Sequence, residues 1–194
     1  MSNPKSDKWN EKYKLERDFW MQLKPRQLLT SFIHLVPKKG RALEAACGVG
    51  VNAIFLAQHG LRVFGLDISE YALKLAMEKA KNDGCAIELA VVDLSKPWLP
   101  AQFFDVITNF HFLERAALPV FRQALKPGGL ILFETFAAAS VDQANPNYYL
   151  EPGELKLSFQ GFEIIHSAEG IVQPGRSHGE RRISQLVARK PDLS

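Results

Sequence analysis

One stretch constrains this chain more than any other: Arg41-Ala42-Leu43-Glu44-Ala45-Ala46-Cys47-Gly48-Val49-Gly50-Val51-Asn52-Ala53. Arg41 to Ala45 read as a buried strand, and the glycines let the backbone turn where other residues resist. A helix from about Val51 to Gln58 follows, stopped by Gly60. A strand that passes through a glycine turn into a helix opens a βαβ unit, so the later elements must suit a parallel sheet covered by helices.

They do. Leu61 to Leu66 form a second strand ending on Asp67, and Ser69 caps a helix whose Ala72, Leu73, Ala76 and Ala80 share one face, with Gly84 beyond its end. Ala86 to Val92 make a third strand, ending on Asp93, and Phe103 to Thr108 a fourth. After a helix at Leu118 to Leu125, the turn Lys126-Pro127-Gly128-Gly129 leads into a fifth strand, Leu130 to Phe136. The rhythm then changes. A loop from Ala137 to Glu151 and a short helix from Pro152 to Phe159 precede two strands, Phe162 to Ala168 and Ile183 to Ala188, with no helix between them. Such a pair implies an antiparallel hairpin. The expected fold class is α/β: a doubly wound, mostly parallel, seven-stranded Rossmann-like sheet with an antiparallel edge hairpin. Trp9 to Val36 is helical in pattern, so residues 1–40 are expected to form an N-terminal helical lid on a domain spanning 41–194, within a single compact domain overall.

Composition narrows the classes of partner. The 194 residues carry a net charge of +3 from 24 basic and 21 acidic side chains, short of the basic stripe of a nucleic-acid binder. No apolar run approaches the ~18 residues of a membrane span, and the polar N-terminus lacks a signal-peptide core. A cytoplasmic monomer or homodimer that touches neither nucleic acid nor membrane is expected. Cys47 and Cys85 have neither metal-ligand nor disulfide spacing, so no metal is expected.

Gly48-Val49-Gly50-Val51-Asn52-Ala53 fits the G-x-G-x-x-G/A fingerprint of a ribose-bearing cofactor, and Asp67 stands where a ribose-binding acid belongs. NAD and S-adenosylmethionine both satisfy that pattern. Glu44 separates them, because a carboxylate just ahead of the glycines repels a pyrophosphate and attracts an ammonium and a sulfonium. A helix N-terminal acid with a purely structural role is the alternative for Glu44.

Leu43 to Gly50, Gly65-Leu66-Asp67-Ile68-Ser69, Val92-Asp93-Leu94, Phe104-Asp105-Val106-Ile107 and Leu125-Lys126-Pro127-Gly128-Gly129 resemble, in order and spacing, the successive motifs of class I S-adenosylmethionine-dependent methyltransferases. The resemblance implies that Glu44 reaches the methionine amino group and that the Ala46, Cys47, Gly48 and Gly50 backbone wraps the methionine and ribose. It also implies that Asp67 takes the ribose hydroxyls, Ile68 packs on the adenine, and Asp93 with Leu94 reads the adenine edge. Asn52 and Asn109 complete the expected cofactor-binding set. Ala46 stands where the family usually has glycine, a departure of one methyl group. Trp9-Asn10-Glu11-Lys12-Tyr13, Leu150 to Leu155 and Leu186 to Lys190 are similar to a narrower group, the small tellurite-resistance-type methyltransferases, and by that analogy Tyr13 covers the methionine carboxylate.

Methyl transfer from a sulfonium needs alignment and a dry pocket more than a catalytic group. A general base is useful when the acceptor arrives protonated, and the candidates are His111, after the fourth strand, and His178, in the late polar loop. Tyr148, Tyr149, Arg176 and Arg181 are the candidate acceptor-binding residues. The expected reaction converts S-adenosyl-L-methionine to S-adenosyl-L-homocysteine while methylating a small-molecule acceptor: a thiol, a chalcogen oxyanion or a related metabolite. Two alternatives stand beside it. An NAD(P)-dependent oxidoreductase would call for a Tyr-x-x-x-Lys pair, but Tyr71 has Leu75 in the place of the lysine. A non-catalytic S-adenosylmethionine-binding protein would bind the cofactor without turning over an acceptor.

Overall fold

In the computed structural model, which describes residues 3–138, 148–174 and 180–192, the elements divide between two compact units, Met1–Trp98 and Leu99–Ser194. The first unit begins with helices. α1 (Pro4–Leu15) is capped by Asn3, whose side chain accepts from the Lys5 N–H, and is followed by α2 (Arg17–Met21), α3 (Gln27–Ser31) and a 3-10 turn at Ile33–Leu35. The helical segment therefore starts before Trp9 and is broken into short pieces, the first break falling at Glu16.

β1 (Arg41–Ala45) leads into α4 (Val51–Gln58), and β2 (Arg62–Asp67) into α5 (Glu70–Asn82) and β3 (Glu88–Val91). β1 pairs in parallel with β2 from Arg41↔Arg62 to Ala45↔Leu66, and β2 with β3 from Phe64↔Glu88 to Asp67↔Val91. Four consecutive residues of β1, Ala42 to Ala45, are buried, as a parallel strand covered on both faces requires. Ser69 caps α5 by accepting from the Ala72 N–H at 3.0 Å, and the buried face holds Ala72, Leu73, Leu75, Ala76 and Ala80. The alanines let α5 come close: a Cβ placed on Gly50 would lie 3.0 Å from the Ala76 Cβ. β3 is shorter at both ends than the sequence pattern suggests.

The second unit comprises β4 (Phe104–Phe110), α6 (Ala117–Ala124), β5 (Leu125–Phe136), α7 (Glu154–Ser158), β6 (Glu163–Pro174) and β7 (Glu180–Arg189). β5 runs parallel to β4 and antiparallel to β7, which pairs antiparallel with β6. The Lys126 to Gly129 turn interrupts β5 instead of preceding it. Pairing jumps from Phe104↔Leu125 to Val106↔Leu130, and Gly128, at φ 71°, donates its N–H to the Lys190 carbonyl at 2.9 Å. Lys126 Nζ meets both Asp105 oxygens at 2.7 and 2.8 Å and fixes the bulge. β6 extends six residues past the expected Ala168, with an irregularity around Gly170, at φ 77°.

The seven strands run in the order β3-β2-β1-β4-β5-β7-β6, mostly parallel, with β7 antiparallel. This is the Rossmann-like sheet with an antiparallel edge hairpin that the alternation of elements predicts. Among the described residues no helix is long and apolar enough to cross a membrane.

Candidate functional site

The β1–α4 loop is a chain of left-handed residues: Ala46 at φ 51°, Gly48 at 53° and Gly50 at 70°. A side chain at Gly48 would be strained on two counts, its φ and the Tyr13 hydroxyl, which would lie 2.6 Å from an added Cβ. Ala46 carries a strain of about 1 kcal/mol in this conformation. The cost of departing from glycine there is thus backbone strain as well as the bulk of one methyl. Asp67, at the end of β2, accepts from the Gly48 N–H through Oδ2 at 2.7 Å and from the Ser69 N–H through Oδ1 at 2.9 Å. It is 5% exposed, and burial raises its pKa above the ordinary carboxylate value against those two donors.

Glu44 is buried at 2% exposure, with both oxygens engaged by the first turn of α4. Oε1 accepts from Asn52 Nδ2 at 2.6 Å and Oε2 from the Ala53 N–H at 2.7 Å, while Asn52 Oδ1 accepts from the Arg26 N–H at 2.8 Å. Each carboxylate oxygen keeps further acceptor capacity. Burial outweighs the two donors and pushes the Glu44 pKa up to about 8. Desolvation likewise raises the Cys47 thiol well above its usual value, which leaves it inert as a nucleophile.

α1 lies along the ends of all three strands of this unit. Asn3 Nδ2 donates to Asp93 Oδ2 at 3.2 Å, and Ser6 Oγ donates to the Ile68 carbonyl at 2.9 Å. Asn10 Oδ1 accepts from Ser69 Oγ at 2.8 Å and from the Tyr71 N–H at 3.1 Å. Tyr13 is buried with Val49, Ala72 and Leu75, its ring 4.6 Å from that of Trp20. Asn3, Ser6 and Asn10 were not among the expected site residues, yet the signal for them existed: with Tyr13 they follow the three-and-four spacing of one helix face. Of the remaining candidates here, Leu94 is buried and Ile68 half-buried. Asp93 Oδ1 accepts from the Ser95 N–H at 2.9 Å and from Ser95 Oγ at 2.7 Å, contacts that hold its carboxyl below the usual range.

In the second unit, the exit from β4 brings other candidates together. Asn109 is fully buried, and its Nδ2 donates to the Phe112 carbonyl at 2.8 Å, leaving Oδ1 without a donor among the described residues. His111 sits at φ 57°, a conformation rarely taken by a non-glycine residue, held by its N–H on the Glu134 carbonyl at 2.7 Å. Its ring tilts over Phe136 at 4.7 Å, Phe136 meets Tyr149 at 6.4 Å, and the Arg181 guanidinium lies 5.1 Å over the same phenylalanine. Tyr149 is therefore drawn onto Phe136, the ring that His111 also meets, whereas Tyr148 is 60% exposed. The Tyr149 carbonyl accepts from Arg115, which also grips Glu154 at 2.6 and 2.7 Å. Arg176 and His178 lie outside the described residues. Glu134, 1% exposed beneath the His111 ring, was not singled out by the sequence, because one acid inside an apolar strand gives no periodic signal. No group of three or more potential metal ligands occurs among the described residues.

Comparison with known proteins agrees with this layout. Residues 42–129 match the family model described as a methyltransferase domain. The chain is 32% identical over 152 residues to an S-adenosyl-L-methionine-dependent Diels-Alderase of Talaromyces variabilis, an alignment covering 74% of this chain and half of that protein's length. It is 27% identical over 201 residues to a probable thiol methyltransferase of Arabidopsis thaliana, covering 95% and 86% of the two chains. The crystal structure of TehB from Haemophilus influenzae superposes with a TM-score of 0.71 at 18% identity, over 84% of this chain and 61% of that one.

Proposed function

The chain carries a class I S-adenosylmethionine-dependent methyltransferase domain, and from that premise we propose that it transfers a methyl group to a small acceptor that arrives bearing a proton, a thiol above all. The observation that carries the proposal is the β1–α4 loop: three left-handed residues, the Asp67 carboxylate on the Gly48 N–H, and a site at Gly48 that a Cβ would fill. A glycine loop between strand and helix, with an acid at the end of the next strand, is where a ribose-bearing cofactor docks on sheets of this kind.

The residues have distinct tasks in this proposal. The Ala46 to Gly50 backbone seats the methionine and ribose, Asp67 exchanges an internal N–H for ribose hydroxyls, and Asp93 with Leu94 borders the adenine. Glu44 braces the loop from beneath, and its remaining acceptor capacity faces the ligand's ammonium. α1 serves as the lid, with Tyr13 over the glycines. The orphaned Asn109 Oδ1 supplies an acceptor to a ligand N–H. When bound, the sulfonium supplies an activated leaving group. His111 takes the acceptor's proton, and Phe136, Tyr149 and Arg181 wall the acceptor pocket. A thiol suits that wall, being small and polarizable, and with an unperturbed pKa of about 8.5 it needs a base near neutrality. The thiol methyltransferase relative supports this acceptor class.

The Diels-Alderase relative makes turnover the decisive observation, since its name joins the same cofactor to a different reaction. Calorimetry with S-adenosylmethionine, S-adenosylhomocysteine and NAD should show binding of the first two only. S-adenosylhomocysteine release should then follow addition of a small thiol. Binding of NAD alone, or cofactor binding with every small acceptor inert, would overturn the proposal.

A further inference from the structure

Four polar side chains, one just past β4 and three on β5, β7 and β6, form a continuous array across the second unit. His111 Nε2, just past the end of β4, lies 3.0 Å from Oε1 of Glu134 on β5. Glu134 Oε2 accepts from Nε2 of Gln185 on β7 at 2.7 Å, and Gln185 Oε1 lies 3.4 Å from Nε2 of His166 on β6. Glu134 and Gln185 face each other in register across β5 and β7, so backbone pairing sets their contact. The array has a direction. His166 occupies the Gln185 oxygen, which turns the Gln185 amide nitrogen to Glu134, and that fills Oε2 and leaves Oε1 to the imidazole. Glu134 is 1% exposed, whereas the His111 side chain is 22% exposed: the carboxylate is sealed in and only the ring reaches outward.

We infer that Glu134 is a positioning residue that fixes the proton of His111 on Nε2, so that the basic lone pair of the neutral ring resides on Nδ1. The inference rests on the proposed methyl transfer to a protonated acceptor and supplies its base with a tautomer. As the bond between acceptor and methyl carbon forms and the methyl–sulfur bond breaks, with its electron pair leaving on sulfur, the acceptor's proton passes to Nδ1. The resulting imidazolium is stabilised by Glu134. In this structure Nε2 and Oε1 meet at ion-pair distance but off the line of a ring N–H, and catalytic hydrogen bonds commonly straighten when ligands close the site. The left-handed backbone at His111 is the strained residue that such a placement requires. Other charged groups nearby are Arg181, stacked over Phe136, and Arg115, held by Glu154.

The test is nitrogen-15 spectroscopy of the histidine rings in the full chain, with and without S-adenosylhomocysteine. Wild type should show His111 with a pyrrole-like Nε2 and a pyridine-like Nδ1. In Glu134→Gln the amide oxygen goes to the Gln185 side, the amide nitrogen faces His111, and the ring proton should move to Nδ1. A wild-type ring protonated on Nδ1, or a tautomer unmoved in Glu134→Gln, overturns the inference. If that variant does not fold, Glu134→Met is read instead: with no acceptor left at Nε2 it should give a mixture of tautomers, and an unchanged ring overturns the inference equally. In turnover, Glu134→Gln should lower the ratio of kcat for a thiol to kcat for a thioether, which carries no proton, by about 100-fold. An equal fall for both would make Glu134 merely structural. Failure of wild type to bind S-adenosylmethionine would sink the proposed function while leaving the tautomer result to be judged by itself.

Discussion

Glu44 and Glu134 are both almost completely buried glutamates on inner strands, at 2% and 1% exposure, yet their surroundings assign them opposite tasks. Both Glu44 oxygens accept from Asn52 and Ala53 in the first turn of the next helix, donors eight and nine residues away in sequence. One Glu134 oxygen accepts from a glutamine 51 residues away, and the other faces an imidazole that can change its protonation state. A buried carboxylate whose two oxygens each accept from a fixed donor braces a loop. One that ends on a titratable ring sets that ring's proton. Burial alone therefore does not mark a functional acid; in the proposed mechanism the difference lies in whether its partner can move a proton.

The comparison breaks most visibly at Glu44. Glu44→Leu strips acceptors from two buried donors and should destabilise the fold by about 3 kcal/mol, read as a lower urea midpoint. The same residue carries a pH signature. Its folded pKa, about 8, lies above the unfolded carboxylate value, so the folded state binds the extra proton. The stability it contributes is complete below the unfolded pKa and is lost as pH rises toward 8. The wild-type urea midpoint should therefore fall between pH 5 and pH 8, and Glu44→Gln should flatten that slope. S-adenosylmethionine, as a cation, should favour the carboxylate and release a proton on binding at pH 7, seen as buffer-dependent heats that vanish in Glu44→Gln.

His111→Ala should lower kcat for a thiol by about 100-fold while leaving the unfolding free energy in urea within about 1 kcal/mol of wild type, the reverse of the Glu44→Leu pattern. Gly48→Ala adds a Cβ at φ 53° against the Tyr13 hydroxyl and should weaken cofactor affinity about tenfold, worth about 1.4 kcal/mol, by calorimetry. Asn10→Ala, which removes the acceptor of both the Ser69 Oγ and Tyr71 N–H bonds, should cost about 1 kcal/mol or less and show chiefly as faster amide exchange along α1.

Most of the sheet was legible in the sequence because βα units announce themselves locally: an apolar run, a glycine, a cap such as Ser69, and a helix face of alanines. Where the pattern misled, a long-range contact had intervened. The Lys126 to Gly129 turn is looped out of β5 by a lysine bound to Asp105 and a glycine bound to Lys190, and neither partner is a neighbour in sequence. The glycine loop and its two acids were equally legible, as was the position of His111. The roles of the residues that complete the candidate site were not. Asn3, Ser6 and Asn10 matter because α1 folds back across the strand ends, and Glu134 and Gln185 because antiparallel pairing sets them opposite each other.

By itself the sequence determined the class of fold, the place of the glycine loop and the likeness to a methyltransferase domain, because a strand, a glycine turn and a helix in fixed order leave few alternatives for the backbone. Tertiary structure decided which donors Glu44 satisfies and which nitrogen of His111 meets a carboxylate. Hydrogen bonding and desolvation act over about 3 Å, and only the folded chain brings residues 44, 52 and 26, or 111, 134 and 185, to that distance.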